Sequence, residues 1–237
     1  IANLFVGLSY GWWQRKHTRH HGNPNKVGVD PDIGSGALVF VPGDDATKRR
    51  GLAGWFLRRQ GWMFFPLITL EGLALHVTSI QTVFGRAPLQ RRWIEATFLT
   101  VRLVGYVAIV VAMLPLGMAL AFIGVQLAVF GFAMGASFAP NHKGMPIVPK
   151  DVSIDFLRRQ VLMSRNIRGG RFIDTAMGGL NLQIEHHLFP SMPRVSLRRA
   201  RPIVRAYCEE HRIPYTETSL MESYRIVVRY LNDVGLG

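Results

Sequence analysis

The chain has 237 residues, of which 49% are hydrophobic, and its formal net charge is +13. A single cysteine, Cys208, excludes a disulfide framework, and it excludes a zinc ribbon or an iron–sulfur cluster held by this chain alone, because each needs several thiolates. Long apolar runs combined with basic flanks indicate a membrane protein facing anionic lipid, and they disfavour a nucleic-acid-binding protein.

The first element is predicted to be the end of a helix that runs from apolar residues 1–13 into a histidine cluster. His17, His20 and His21 stand at positions i, i+3 and i+4, which lie on one face of a helix. Trp12 and Trp13 directly precede the cluster, where they either mark a membrane–water interface or line an apolar substrate channel. Because the sequence begins inside an apolar run and without methionine, we expect an N-terminal part of the natural protein to be missing.

Residues 26–96 are predicted to form an ordered loop followed by interfacial helices. Asp30 and Asp32 in the loop are candidate acceptors for the ring N–H of a ligand histidine, with simple loop capping as the alternative. Residues 62–84 are long enough to cross a bilayer, but we expect them to be interfacial or re-entrant, since a crossing would put the two histidine clusters on opposite faces. His76 in this run and His211 near the C terminus are interpreted as structural.

Residues 97–139 predict a transmembrane hairpin, with spans at 97–116 and 118–139 and a tight break at residues 115–117. This region contains one basic residue, Arg102, whereas both flanking regions are rich in arginine and lysine. The positive-inside rule therefore places both flanks on the cytoplasmic side of a multi-pass protein. Arginine outnumbers lysine 23 to 5, which favours a GC-rich genome and a bacterial plasma membrane.

Residues 140–237 are predicted to form a cytoplasmic helical region. His142 leaves the second span at the depth expected of the histidine clusters, and we interpret it as a ligand. The predicted helices are an amphipathic helix at 151–168, a helix at 172–187 that carries Gln183, His186 and His187, a basic helix at 194–212, and a last helix that starts with the capping box of Ser219 and ends near residue 235.

The two clusters share one spacing, H-x-x-H-H at 17–21 and Q-x-x-H-H at 183–187. Two helical faces with the same ligand spacing predict a single metal site between them, and imidazole nitrogen suits iron, copper, nickel and zinc.

These motifs resemble the histidine boxes of the membrane-bound fatty acid desaturases. The stretch from residue 178 to 190, GGLNLQIEHHLFP, and the stretch from 15 to 25, RKHTRHHGNPN, carry the resemblance, and glutamine in the last box is similar to the linoleoyl-CoA or delta-6-like, front-end subgroup. The similarity covers the whole chain, which implies one desaturase domain over 1–237: an all-α integral membrane protein with a transmembrane hairpin and a cytoplasmic helical cap around a di-iron site. The family's first box, H-x-x-x-H, is absent, since no histidine precedes His17.

The resemblance implies two non-heme iron ions, O2 as co-substrate and an external electron donor such as ferredoxin, cytochrome b5 or a reductase. The implied reaction inserts a cis double bond into an acyl chain carried by coenzyme A or a phospholipid. The implied ligands are His17, His20, His21, His142, His186 and His187. Gln183 is a weak ligand or lies behind the ligands, as do the candidates Glu185, Asn181, Asn141 and Asp174. Trp12, Trp13 and Arg15 are candidates for substrate binding.

Two alternatives remain open from the sequence. The same centre could hydroxylate, ketolate or epoxidise a lipid, because the boxes do not distinguish these outcomes. The chain could also be a non-catalytic membrane protein that binds zinc or copper.

Overall fold

The computed structural model describes residues 2–34 and 36–236. Most of these residues are helical, as predicted, and two short strands form a small parallel sheet. The helices in chain order are α1 (Ala2–Phe5), α2 (Tyr10–Gly22), α3 (Gly51–Leu57), α4 (Gln60–Ile68), α5 (Glu71–Phe84), α6 (Arg92–Met113), α7 (Leu116–His142), α8 (Phe156–Leu162), α9 (Arg171–Ala176), α10 (Gln183–Leu188), α11 (Arg194–Glu210) and α12 (Leu220–Leu236).

The chain folds as two compact units. The first consists of Ile1–Thr18 and Pro66–Gly135, and the second of Arg19–Phe65 and Ala136–Gly237.

Helices α6 and α7 are each long and apolar enough to cross a membrane. They are separated by Leu114 and Pro115, close to the predicted break, although each helix extends beyond the predicted span at its outer end. Helices α4 and α5 form a bent pair with an angle of 66°, so they would add a third crossing only as a broken span. The predicted continuous segment at 62–84 is therefore two short helices that meet at residues 69–70.

Within the first unit, the junction between α4 and α5 packs closely against glycine residues of α7. A Cβ atom at Gly131 would lie 2.5 Å from the backbone nitrogen of Gly72, and 2.7 Å from the carbonyl oxygen of Ile68. A Cβ at Gly135 would lie 2.8 Å from side-chain atoms of Ile68. The backbone of the α4–α5 junction can approach α7 only because these positions lack side chains.

The first unit also holds the start of α2. Ser9 accepts a hydrogen bond from the backbone N–H of Trp12, and the buried carboxylate of Glu95 accepts from Ser9 Oγ at 2.6 Å and from the backbone N–H of Gly11 at 2.9 Å. An anion at a helix N terminus satisfies donors that have no partner inside the helix. Glu95 on α6 therefore fixes where the histidine-bearing helix begins.

The second unit is built around a core of Val161, Ile184, Val204, Cys208 and Ile213. Beside this core, β1 (Asn166–Arg168) pairs in parallel with β2 (Glu217–Ser219), and Ile167 lies opposite Thr218. This sheet departs from the predicted all-α class.

Three predicted helices are wrong in extent. The apolar run at 1–13 is broken between α1 and α2, where Gly7 adopts a positive φ of 81°. The helix predicted at 151–168 is only α8, and the chain then enters strand β1. The helix predicted at 172–187 is divided into α9 and α10, because Gly178 and Gly179 adopt positive φ angles of 57° and 79° and close a turn between them.

The C-terminal predictions hold more closely. Helix α11 covers most of the basic segment, and α12 follows the predicted capping box. Ser219 Oγ accepts from the backbone N–H of Glu222 at 3.2 Å, as a capping box requires, while the Glu222 carboxylate pairs with Arg225 at 3.3 Å.

Candidate metal centre

The second unit brings five histidines together from three separate helices. His20 and His21 come from the last turn of α2, His142 from the end of α7, and His186 and His187 from α10. All five are buried. The predicted meeting of the two histidine boxes is therefore present, and His142 lies with them as predicted.

Three of these side chains converge on one point. A ring nitrogen of His20, one of His142 and one of His187 all lie within 4.8 Å of one another. The Nε2 atoms of His142 and His187 are only 3.1 Å apart. The ring of His20 lies edge-on to both, with centroid distances of 4.7 Å to His142 and 5.0 Å to His187.

The opposite nitrogen of each ring is held by a different acceptor. His20 Nδ1 lies 3.0 Å from the carboxylate of Asp30, His142 Nδ1 lies 3.0 Å from the carbonyl oxygen of Met163, and His187 Nδ1 lies 3.0 Å from Gln160 Oε1. Since these acceptors require a proton on Nδ1, each ring presents the lone pair of Nε2.

Two such lone pairs facing each other at 3.1 Å repel, unless a proton or a cation lies between them. Burial lowers the pKa of His187 well below its ordinary value, and the neighbouring histidines lower it further, so a shared proton is disfavoured at neutral pH. A divalent metal ion satisfies both lone pairs, and these residues fit one. Their hydrogen-bonding pattern is the one that orients imidazole ligands in metalloproteins.

His21 and His186 form a second pair beside this trio. Their ring centroids are 4.8 Å apart, and His21 also stacks on His187 at 4.2 Å. His17 lies one helical turn before His21 on α2, in the first unit, and stacks on Trp13 at 5.2 Å. Its predicted role as a ligand stays a prediction.

Gln183 lies inside the cluster, with its side-chain nitrogen 3.0 Å from His142 Nε2. Its carbonyl oxygen Oε1 is buried and has no hydrogen-bond partner. Because an amide's oxygen and nitrogen are assigned from their surroundings, the same side chain can instead direct an oxygen ligand toward the space between the histidines. Its predicted role as a weak ligand, or directly behind the ligands, stays a prediction.

Glu185 is the middle residue of the last box and is fully buried. Its carboxylate accepts hydrogen bonds from Asn166 Nδ2 and from the hydroxyl of Tyr215, each at 2.8 Å. Burial raises the pKa of Glu185, and these two donors oppose that shift. The side chain thus ties α10 to the small sheet.

The end of α7, which carries His142, is held by a buried arginine. Arg165 is 1% exposed and donates to the carbonyl oxygen of Pro140 at 2.5 Å and to Ser223 Oγ at 2.9 Å. Burial lowers its pKa to about 10, so the guanidinium stays charged at neutral pH. A cation at the C terminus of a helix satisfies carbonyl groups that lack partners within the helix.

The structure gives the other predicted supporting residues partners outside the histidine cluster. Asn141 donates to the carbonyl oxygen of Leu180 at 3.1 Å, Asn181 donates to Asp174 at 2.8 Å, and Asp174 pairs with Arg198. These residues bind the loop before α10, and a direct role toward a metal stays a prediction.

The predicted substrate residues lie on the first two turns of α2. Trp12 is partly buried beside Trp13, with centroids 6.4 Å apart, and Lys16 Nζ lies 5.8 Å from the ring of Trp12. Arg15 donates to the carbonyl oxygen of Pro88 at 2.5 Å. Their contact with substrate stays a prediction.

The acceptors that hold the clustered histidines are the part of the site that the motifs missed. Asp30 was a candidate from the loop sequence, and it also caps a short 3-10 turn by accepting from the backbone N–H of Asp32 at 2.9 Å. Gln160 and Met163 lie in no motif. The only available signal was an uncharged polar residue at position 160 within an apolar helix face.

Comparisons of the sequence with known proteins identify related chains. The sequence model of the family described as fatty acid desaturase matches residues 1–219. The chain is 31% identical over 245 residues to an acyl-lipid (9-3)-desaturase of Physcomitrium patens, covering 99% of this chain and 46% of that protein. It is 32% identical to an acyl-lipid 8-desaturase of Rebecca salina, covering 97% and 53%.

A delta(6)-fatty-acid desaturase of Caenorhabditis elegans is 30% identical, with 99% of this chain and 56% of that protein covered. The chain thus spans about half the length of these curated relatives. No solved structure gives a significant match. A family match over most of the chain, together with buried histidines from both boxes in one cluster, shows that this chain belongs to the fatty acid desaturase family.

Proposed function

We propose that this chain forms one front-end fatty acid desaturase domain that inserts a cis double bond into a fatty acyl chain, using O2 and two non-heme iron ions. The observation that carries the proposal is the convergence of His20, His142 and His187, each held at Nδ1 by its own acceptor. The names of the relatives, which include acyl-lipid and delta(6)-fatty-acid desaturases, support a fatty acyl substrate. We propose that a phospholipid or coenzyme A carries it.

The proposed ligands fall into two sets. His20, His142 and His187 would hold one iron, with Gln183 beside them. His21 and His186 would hold the second, and the spacing of four residues from His21 on α2 supports His17 as its partner.

Iron at these positions would supply the activation of O2 that removal of hydrogen from an unactivated methylene pair requires. The overall reaction converts a CH2–CH2 unit and O2 into a cis double bond and two waters, so two electrons and two protons must be added. We propose that an external donor of the ferredoxin, cytochrome b5 or reductase type provides the electrons.

The protein's own contribution is to hold buried imidazoles in a fixed arrangement. Asp30, Gln160 and the Met163 carbonyl keep the proton of each ring on Nδ1, which leaves Nε2 available without rearrangement. Burial of the five histidines would keep bulk water away from iron held by these residues.

Substrate would approach along the first turns of α2. Trp12 and Trp13 are proposed to line the path of the acyl chain. Arg15, on the same helix, is proposed to lie near the headgroup. These roles rest on the position of the three residues, two to five positions before His17 on the same helix.

We further propose that α6 and α7 form a transmembrane hairpin, with the histidines on the cytoplasmic side, here of a bacterial plasma membrane. Basic residues at Arg58–Arg59 and at Arg91–Arg92 flank the bent pair α4–α5 on both sides, while the α6–α7 connection has none. The positive-inside rule therefore favours a re-entrant α4–α5 over a crossing. The close approach of Gly72 to Gly131 of α7 supports a re-entrant pair whose bend lies within the membrane.

Single cysteines test this topology, since Cys208 can be replaced by serine to give a cysteine-free background. Leu52→Cys and Ala87→Cys should react with a membrane-impermeant maleimide from the same face, and Gly117→Cys from the opposite face. Labelling of Leu52→Cys and Ala87→Cys from opposite faces would show that α4–α5 crosses the membrane.

The activity is tested by expressing the chain in a host membrane supplied with linoleate and analysing the fatty acids by mass spectrometry. A new double bond that disappears in His187→Ala and persists in His211→Ala supports the proposal, because His211 lies exposed on α11's C-terminal cap. Hydroxylated lipid without any new double bond would point to a different reaction at the same centre. Zinc or copper retained in place of iron, with unchanged lipids, would support the non-catalytic alternative.

A further inference from the structure

Gln160 is a fully buried glutamine on α8 that belongs to neither histidine box. Its Oε1 atom lies 3.0 Å from His187 Nδ1, and its Nε2 atom lies 3.0 Å from the backbone carbonyl oxygen of His21. We propose that Gln160 is a positioning residue that couples the first histidine box to the last, by setting the proton of His187 and anchoring the end of α2. This inference rests on the proposed metal centre.

The direction of both hydrogen bonds follows from their chemistry. A backbone carbonyl can only accept, so the amide NH2 of Gln160 must face His21. The amide oxygen must then face His187, and the Nδ1 atom of that ring must carry the proton. The lone pair of His187 Nε2 consequently points to His142 Nε2, 3.1 Å away. The contact of Gln160 with the His21 carbonyl thus determines which nitrogen of His187 carries the proton.

Simple core packing does not account for a glutamine at this position. Both ends of the Gln160 amide are used on the histidine cluster, and its helix contributes the apolar neighbour Val161 to the core. An apolar residue at 160 would leave the His187 N–H and the His21 carbonyl buried without these partners, which is unfavourable. The polar side chain is therefore explained by what it holds.

The residues that follow Gln160 support the same role for the whole stretch. The Met163 carbonyl accepts from His142 Nδ1 at 3.0 Å. Asn166 accepts from the backbone N–H of Ile184 at 2.9 Å and donates to Glu185 at 2.8 Å. Residues 160–166 thus contact all three histidine-bearing helices of the second unit, and Gln160 is the only member of this stretch whose side chain contacts two of them at the histidines themselves.

The test compares Gln160→Met with a matched control, Gln60→Met. Gln60 is equally buried and also uses its whole amide, accepting from Val39 N at 2.9 Å and donating to the carbonyl oxygens of Val39 at 2.9 Å and Leu231 at 2.7 Å. It contacts no histidine through these bonds. The two variants therefore remove the same kind of buried network from the same unit, once at the metal centre and once away from it.

Cobalt(II) is titrated into each purified, metal-depleted chain of residues 1–237 in detergent, and both the affinity and the visible d–d spectrum are recorded. Gln160→Met should weaken binding about 10–100-fold and change the spectrum, while Gln60→Met keeps both, even where thermal unfolding shows equal destabilisation. Gln160→Glu should recover most of the affinity, because a carboxylate still accepts from His187 Nδ1.

Equal affinity and identical spectra in wild type and Gln160→Met would overturn the positioning role while leaving the metal centre intact. If Gln160→Met does not fold, Gln160→Glu decides: a folded protein that keeps most of the wild-type affinity supports the role of the acceptor, and loss of binding equal to that of His187→Ala overturns it. No cobalt or iron binding by the wild-type protein would overturn the metal centre and this inference with it.

Discussion

Replacing Asp30 by asparagine changes one oxygen of the site into NH2 and leaves the size of the side chain unchanged. The Asp30 carboxylate receives three N–H groups, from Asn25 N at 2.7 Å, Asp32 N at 2.9 Å and His20 Nδ1 at 3.0 Å. An amide has one oxygen with two lone pairs, so at least one of the three donors loses its partner. The substitution therefore forces the loop and the histidine to compete.

The expected magnitude follows from this count. A hydrogen bond to a charged group contributes about 1.5–3 kcal/mol, so we expect the metal-free Asp30→Asn protein to lose about 2–3 kcal/mol of folding stability. Loss of a carboxylate partner behind a ligand histidine weakens metal binding about 10–100-fold. Thermal unfolding and cobalt(II) titration in detergent measure the two effects separately.

Asp155→Asn is the matched control, since Asp155 also caps a helix but lies at the surface, where it accepts from Arg158 N at 3.0 Å. We expect a smaller loss of stability there and no change in metal affinity. The argument would be refuted if Asp30→Asn bound cobalt as tightly as wild type, or if Asp155→Asn weakened binding to the same extent.

Three further predictions concern the scaffold and its pH dependence. Glu95→Leu leaves the backbone N–H of Gly11 without its buried acceptor and should lower stability by about 1–3 kcal/mol in thermal unfolding, and an unchanged melting temperature would contradict the capping role. Gly131→Ala should lower the folding stability by about 1–3 kcal/mol, because its Cβ would lie 2.5 Å from the backbone nitrogen of Gly72. Gly124→Ala is the control and should not, since a Cβ there has open space around it. Equal melting temperatures of the two variants would show that α7 and the α4–α5 junction are not in close contact. The pKa of His187 is lowered in the fold, so below about pH 6.5 the unfolded chain binds a proton that the native ring does not. The metal-free protein should therefore lose folding stability as the pH falls from about 7.5 to 5.5. A free energy of unfolding in urea that does not change over this range would contradict the prediction.

The clustering of the histidines was predictable from the sequence, because histidine is informative when it recurs at helical spacing, while their role as metal ligands stays a prediction. His20 and His21 lie on the last turn of α2 and meet His186 and His187, as the shared spacing of the boxes indicated. The two apolar helices α6 and α7 were also predictable, since a run of about 20 apolar residues is the length that a membrane-spanning helix needs.

The boundaries around the last box were not predictable from periodicity. Apolar residues at 172–187 fit a helical pattern, but two consecutive glycines with positive φ, Gly178 and Gly179, turn the chain before α10 begins. Helix α10 has only six residues, so its position depends on Glu185 bonding to Asn166 and Tyr215 rather than on helix propensity. Such long-range contacts have no local signature in the sequence.

The partners of the ring nitrogens were the hardest part to foresee. Asp30 could be proposed from its loop, but the signal at Gln160, an uncharged polar residue within an apolar helix face, does not say what the side chain contacts. The third partner is a backbone carbonyl, which every residue has. Only the folded chain shows which of these groups reaches a histidine.

The Met163 carbonyl has a practical consequence for how this site will respond to mutation. Side-chain replacement can delete the acceptors at Asp30 and Gln160, but no coding change short of altering the backbone path can delete the one that serves His142. A saturation mutagenesis screen should therefore record positions 30 and 160 as intolerant and position 163 as accepting any apolar residue of similar size. Engineers who choose targets from such a screen would overlook the anchor of His142, and could change the packing around Met163 to adjust the tilt of that imidazole without losing the bond.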